Sequence, residues 1–211
     1  MTRIILFGAP GSGKGTQARR LEQRFGYRHI STGDLIRTEV SEETALGQRV
    51  RPILEAGGYI DDETMLEMVK RRVAQADISD GYVLDGFPRT INQARALSAL
   101  TVAREIPILL DIKDEELIVK RILSRVTCGR CGAVYNLEVN PPRTPGRCDQ
   151  CGEQLTRRSD DSEASVHERL HVFRERTLPV LEYYRERGDL FRVNAALPID
   201  RVSAAIEEIV A

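Results

Sequence analysis

The sequence predicts an α/β fold, a parallel sheet with helices on both faces. Three observations predict it. The chain opens with a short apolar run, Ile4-Ile5-Leu6-Phe7, which breaks into a glycine-rich loop and then a helix-forming segment. Short apolar runs then alternate with stretches of helical spacing, the pattern of parallel strands joined by helical crossovers. Finally, 211 residues with 41% hydrophobic and 30% charged composition suit one main globular domain with small insertions. Tryptophan is absent and aromatics make up 5%, so aliphatic side chains must build the core.

The elements follow in order. Residues 4–7 form the first strand, and residues 16–25 a helix that stops near Gly26. Ser31-Thr32-Gly33-Asp34 is a helix-cap cluster ahead of residues 35–40. A helix over about 43–56 halts at Gly57-Gly58. Asp61-Asp62-Glu63 start another, with Met65, Met68, Val69 and Val73 at helical spacing. Tyr82-Val83-Leu84 is a short buried strand. Residues 91–102 read as helix, 107–112 as strand and 114–126 as helix. Residues 127–159 break the rhythm with Gly, Pro, Cys and polar residues. Helix returns over about 162–187, residues 191–193 make a last strand, and 199–210 a last helix. No internal repeat or low-complexity tract is present.

Gly8 to Lys14 fit the phosphate-loop pattern G-x-x-x-x-G-K between a strand and a helix. Glycines let backbone N–H groups turn inward on a polyphosphate, the helix N-terminus adds its positive dipole, and the lysine adds a mobile charge. The general pattern continues with a Ser or Thr whose hydroxyl binds Mg²⁺. Here Gly15 occupies that position and Thr16 comes one later, so Mg²⁺ would depend on phosphates, waters and a distant carboxylate. Asp85, in Asp85-Gly86-Phe87-Pro88-Arg89 after a buried strand, would stand beside the loop and supply it, because ligands in such sheets sit at the strand C-terminal ends. The same run also suits an ordinary strand-to-helix turn.

Arg37, Arg89, Arg121, Arg125, Arg158 and Arg169 lie near loop edges or helix ends flanking this cleft. Guanidinium groups grip phosphate bidentately, but spacing alone does not separate these from solvated arginines. Cys128, Cys131, Cys148 and Cys151 form C-x₂-C, sixteen residues, C-x₂-C, inside the range of a tetrahedral Cys₄ zinc site. Two disulfides, a redox pair or bound iron are the alternatives; four thiolates would leave no open position, making the ion structural. His29, His167 and His171 show no paired ligand spacing, and Tyr183-Tyr184 reads as packing.

Thirty-one basic and 32 acidic residues give a net charge of −1, which argues against nucleic-acid binding by bulk electrostatics. Residues 3–9 are too short for a signal peptide or a membrane span, so the expectation is a cytoplasmic protein without membrane partners.

The stretches GAPGSGKGTQA (8–18), ISTGDLIR (30–37), YVLDGFPRTINQA (82–94), the segment around Arg121 and Arg125, NPP (140–142) and RRSDD (157–161) carry a resemblance. In this order, spread over almost the whole chain, they resemble the adenylate kinases, of the bacterial long-lid, zinc-containing type. The resemblance implies a nucleoside-monophosphate-kinase-like core of residues 1–30, 61–122 and 161–211. It also implies a monophosphate-binding helical insert at 31–60 and a zinc-containing lid at 123–160. It implies transfer of a phosphoryl group from MgATP to AMP, giving two ADP, in a monomer.

Residue by residue, the resemblance puts Gly11, Ser12, Gly13, Lys14, Gly15 and Thr16 on the ATP phosphates and Arg121 on the ATP base. Thr32, Arg37, Gly58, Tyr59, Ile60, Gly86, Phe87, Pro88, Arg89 and Gln93 would hold AMP, with Thr32 and Gln93 near adenine. Arg125, Arg158 and Arg169 would surround the transferring group, Asp160 and Asp161 would orient the lid arginines, and Asp85 would support Mg²⁺. The Asp160-Asp161 pair could instead cap the next helix. Val126 departs from a second consecutive arginine, and Ala195 and Leu197 depart from a glycine and a lysine in a loop that touches the ATP base. Two rival readings remain at this point. One is a UMP or CMP kinase, which usually has a short lid without cysteines. The other is a non-enzymatic phosphate-loop and zinc-knuckle protein that binds nucleic acid.

Overall fold

The computed structural model describes residues 1–78 and 80–211. The first half runs β1 (Thr2–Phe7), α1 (Lys14–Phe25), β2 (Arg28–Ser31), α2 (Thr32–Ser41), α3 (Ala45–Glu55), α4 (Asp62–Val73), β3 (Gly81–Asp85) and α5 (Ile91–Ser98). The second half runs β4 (Arg104–Asp111), α6 (Glu115–Leu123), β5 (Arg125–Cys128), β6 (Val134–Asn136), β7 (Leu155–Thr156) and α7 (Glu163–Val172). A wide π turn (Phe173–Thr177), α8 (Leu178–Glu186), β8 (Phe191–Asn194) and α9 (Ile199–Val210) complete it. Among the described residues no helix is long and apolar enough to cross a membrane.

Five strands form one parallel sheet in the order β2-β3-β1-β4-β8. Because side chains alternate across a strand, β1 feeds two cores. Ile5 and Phe7 join Leu84, Tyr82 and Tyr184 on one face, while Ile4 and Leu6 join Val83, Ile108, Val202 and Ile206 on the other. Ile4 and Ile5 are fully buried, which explains the unbroken apolar run. Burying each such side chain stabilises the fold by about 1.5–3 kcal/mol, so truncation to alanine in β1 attacks both layers.

Local chemistry sets the helix starts. Ser31, Thr44, Asp61, Thr90, Asp114 and Ser162 each accept a first-turn backbone N–H through the side chain. Ser162, not Asp160 or Asp161, therefore caps α7.

Four sequence expectations need correction. The helix expected over 114–126 stops at Leu123, and Arg125 and Val126 lie in β5. The helix expected over 91–102 ends at Ser98, because β4 begins at Arg104, earlier than the predicted residue 107. The long helix expected over 162–187 is interrupted by the π turn. Residues 28–31, given no element, form the edge strand β2.

Residues 127–159 contain most of a second, antiparallel sheet of order β6-β5-β7. Its burial alternates, with Val126 and Cys128 turned into a small cluster with Ala133, Tyr135, Cys148 and Leu155. Val126, the departure from an arginine, is thus a core residue of this sheet, while its neighbour Arg125 lines the cleft.

Candidate functional site

The sheet register brings the phosphate loop and Asp85 together. Leu6 in β1 lies opposite Asp85 in β3, and the loop follows β1 directly. α1 begins at Lys14 without a side-chain cap, after Gly13 in a left-handed turn at φ 93°. The N–H groups of its first turn are thereby left for an anion. Lys14 Nζ donates to Gly8 O at 2.8 Å and Ala9 O at 2.9 Å. Burial lowers the Lys14 ammonium to about 8; Asp85 opposes the shift, and Arg89, Arg169 and Arg125 add to it.

Asp85 packs against the loop. A Cβ on Gly15 would stand 3.3 Å from Asp85 Oδ2, so the position that departs from the general loop pattern is the one the carboxylate approaches. Burial would raise this carboxyl, but His29, Lys14 and Arg89 outweigh it and hold it down to about 2. His29, given no role by its spacing, is half-buried on β2 with its side chain largely covered and Nε2 3.5 Å from Asp85 Oδ2. Only the pairing of β2 with β3 creates this neighbour, so no local signal marks it.

The cleft arginines converge on acidic partners. Arg125 makes a bidentate pair with Asp161, through Nε to Oδ2 at 2.8 Å and through its terminal nitrogen to Oδ1. Arg169 donates to Asp160 O at 3.1 Å and lies 3.2 Å from both Asp160 Oδ2 and Asp161 Oδ1. Arg37 donates to Asp34 Oδ1 at 2.7 Å and approaches Asp160 Oδ2 at 3.7 Å. Arg158 approaches the same Asp34 oxygen at 3.7 Å, so Asp34 joins α2 to the segment after β7. Its spacing of three from Arg37 on one helix is the signal that could have singled Asp34 out.

Positive charge is nevertheless in excess: Lys14, Arg37, Arg89, Arg125, Arg158 and Arg169 face Asp34, Asp85, Asp160 and Asp161. Burial pushes Arg158 down to about 10, with Arg37 and Arg125 adding like charge. Burial works against ionised Asp160, but Arg169, Arg37 and Arg158 outweigh it and lower its pKa. Such a site favours a polyanion.

Between the start of α2 and the turn after β3, Thr32 Oγ1 donates to Gly86 O at 3.0 Å. A side chain at Gly86, at φ 83°, would be strained and would displace its neighbours: its Cβ would fall 2.7 Å from an Arg89 nitrogen and 2.8 Å from Thr32 Oγ1. Gly58, Tyr59, Ile60, Phe87, Pro88 and Gln93 line the same cavity, although the Phe87 and Ile60 side chains belong to the core. Gln93 Nε2 donates to Asp62 Oδ1, a partner that sequence reading assigned only to a helix start. Elsewhere in the lining Arg121 donates to Ala195 O at 2.9 Å, and Leu197 and Val139 contribute exposed apolar side chains.

The four cysteines are free thiols whose Sγ atoms all lie within 4.8 Å of one another. Sulfur separations of 3.4, 3.5 and 3.6 Å are far beyond a disulfide bond of about 2.05 Å. They approach the edge of about 3.8 Å expected for a tetrahedron with metal–sulfur bonds of about 2.3 Å. The donor set fits a closed tetrathiolate ion. Tyr135 Oη stands 3.6 Å from Cys148 Sγ and accepts from the Asp149 N–H, tying one ligand to its loop. Arg19 of α1 donates to Gly132 O at 2.6 Å, holding this knuckle against the core.

Comparison with known proteins agrees with this geometry. A family model described as adenylate kinase matches residues 6–189. An adenylate kinase of Symbiobacterium thermophilum is 46% identical over 211 residues, covering 98% of this chain and 97% of its own. Adenylate kinases of Moorella thermoacetica and Nitrosococcus oceani are 41% and 40% identical, each covered over 95% or more of its length. The phosphate loop, the arginine-lined cleft and these full-length likenesses agree, and the chain belongs to the adenylate kinase family of phosphotransferases.

Proposed function

We propose that the chain catalyses reversible phosphoryl transfer from MgATP to AMP, giving two ADP. One observation carries the reading. The phosphate loop and five arginines from separate parts of the chain, Arg37, Arg89, Arg125, Arg158 and Arg169, line a single cavity. The AMP phosphate attacks the γ-phosphorus in line. Its oxygen is already anionic at neutral pH, so no general base is required, and catalysis is positioning plus charge stabilisation.

In this reading residues 11–16 hold the ATP phosphates, and Arg121 with Leu197 contacts the base. Thr32, Arg37, Arg89 and Gln93 hold AMP. Arg125, Arg158 and Arg169 meet the charge on the transferring group, oriented by Asp160 and Asp161. Mg²⁺, when bound, neutralises the ATP phosphates; Asp85 would hold it, directly or through water, and its low pKa and packing against Gly15 support this. Cys128, Cys131, Cys148 and Cys151 would hold a structural Zn²⁺. Residues 31–60 and 123–160 move as inserts on the rest, and closure of the second excludes water as a competing acceptor. The contacts Arg19 to Gly132 and Arg158 to Asp34 support a closed arrangement. The enzyme is taken to work as a cytoplasmic monomer.

The test is a coupled assay of ADP formation from ATP and each of AMP, GMP, CMP and UMP. AMP-dependent formation of ADP is expected. Comparable turnover of UMP or CMP would overturn the acceptor assignment, and no transfer to any acceptor would overturn the reaction.

A further inference from the structure

Four of the cleft arginines are oriented by carboxylates: Arg37 by Asp34, Arg125 by Asp161, Arg158 by Asp34, and Arg169 by Asp160 and Asp161. Arg89 is different. Among the described residues no carboxylate pairs with it. Its Nε donates to Gly86 O at 2.7 Å, and the Tyr59 ring covers the guanidinium face with the central carbon 4.7 Å from the ring centroid.

The ring is itself anchored. Thr177 Oγ1 donates to Arg89 O at 3.2 Å, which commits the threonine proton. The hydrogen bond of 3.1 Å between Tyr59 Oη and Thr177 Oγ1 must then be donated by the tyrosine. Thr177, the last residue of the π turn, is buried, so its hydroxyl is a fixed point of the core. Tyr59 lies between α3 and α4, in the connection from Gly57 to Asp61. The loop Arg89–Tyr59–Thr177–Arg89 closes only when that connection rests on the core.

From this geometry we infer that Tyr59 is a positioning residue for Arg89. It does with an aromatic face what aspartates do for the neighbouring arginines, orienting the cation without neutralising it. The consequence is chemical. A carboxylate on Arg89 would compete with an incoming phosphate for the same N–H groups, whereas a ring face leaves the guanidinium edge and its full charge to the ligand. Arg89 is thus pre-set for a monoanionic or dianionic phosphate before the ligand arrives. The inference rests on the proposed reading of Arg89 as a contact to the AMP phosphate.

The experiment is steady-state kinetics of the full chain, with AMP and MgATP varied in turn, on Tyr59→Leu, Tyr59→Phe and Thr177→Ser. In Tyr59→Leu the KM for AMP should rise about tenfold, with the KM for ATP and the melting temperature nearly unchanged. Tyr59→Phe keeps the ring and should recover most of that loss, leaving about a threefold rise from the lost hydroxyl anchor. Thr177→Ser keeps the hydroxyl and should behave as wild type. An AMP KM within about twofold of wild type in Tyr59→Leu would overturn the inference, as would equal losses for both substrates or no recovery in Tyr59→Phe. Wild-type protein without AMP-dependent turnover would instead overturn the acceptor assignment, and the inference with it.

Discussion

Gln93 donates through Nε2 to Asp62 Oδ1 at 2.8 Å, while its Oε1 accepts the Arg89 N–H at 2.8 Å. Asp62 in turn accepts from Thr90 Oγ1 at 2.8 Å, so the carboxylate is braced from two sides. The two bonds fix which end of the buried amide is donor and which is acceptor. One amide N–H and one oxygen lone pair remain, the complement of an adenine edge.

AMP is therefore expected to be preferred over GMP, CMP and UMP by at least about a hundredfold in kcat/KM, the scale at which buried hydrogen-bond mismatches discriminate. Asp62→Ala releases the amide to rotate and should shrink that preference by about tenfold, mainly through loss with AMP. Acceptor profiling of both proteins measures it. An unchanged preference in the variant would show that Gln93 does not need its aspartate.

Arg125 and Arg169 have their charges held by buried aspartates rather than by the core. Each alanine substitution is expected to lower kcat by at least about a hundredfold, as removal of a preorganised donor to transition-state charge does. Arg89→Ala should also raise the KM for AMP, because the proposed contact to its phosphate would already be made in the ground state. Near-normal kcat in Arg169→Ala would move the reacting phosphoryl group away from these residues.

Metal analysis of the purified chain should find about one ion per chain bound to the four thiols. The cluster around Val126, Tyr135 and Leu155 is small and includes Cys128 and Cys148 themselves, so chelation or Cys128→Ser should melt this sheet before the parallel one. Two resolved transitions in calorimetry are expected, replacing one. Metal-free protein with an unchanged melting profile would remove the ion from the fold.

Lys14, lowered to about 8, titrates within a working pH range. A polyphosphate needs the protonated form, so kcat/KM for ATP should be level below about pH 7, half-maximal near pH 8, and fall by up to about tenfold per unit above that. Lys14→Arg, charged throughout, should reduce activity but flatten this alkaline limb. Stability carries the opposite sign. The folded state holds this proton less tightly than the unfolded chain at 10.5, so raising pH from about 8 to 10.5 favours folding through this group. A flat wild-type profile to pH 9.5 would show that Lys14 stays charged in the free enzyme.

Much of this was legible in the chain. The phosphate loop and the cysteine quartet announce themselves because each is local, with spacing that is itself the geometry. The misreadings are equally physical. Ile118, Ile122 and Val126 repeat every four residues and so extend the helical pattern, yet Ser124 Oγ bonds back to Lys120 O and α6 ends before Val126 alternates with Cys128 in a strand. β2 offers four residues with one deeply buried, Ile30, too little for a period to appear. The π turn has no compositional mark, although it ends on Thr177. His29, Asp62 and Arg19 acquire partners 28 to 113 residues away, contacts that no window of sequence displays.

The two sheets differ in how far apart their partners lie along the chain. β1 cannot form its ladder until Thr2 meets Gly81 and Arg104, and β8 waits for residues beyond 190. Every rung of β5, β6 and β7 lies between Arg125 and Thr156. Short loops close sooner than long ones, and a metal ion on the four cysteines would reward early closure of this one. In refolding with Co²⁺ as reporter, thiolate charge-transfer absorbance should precede the helical circular-dichroism signal, which comes from outside the segment Arg125 to Thr156; simultaneous signals would refute that order. On that order the knuckle would assemble first, and its ion would be held before the cleft exists.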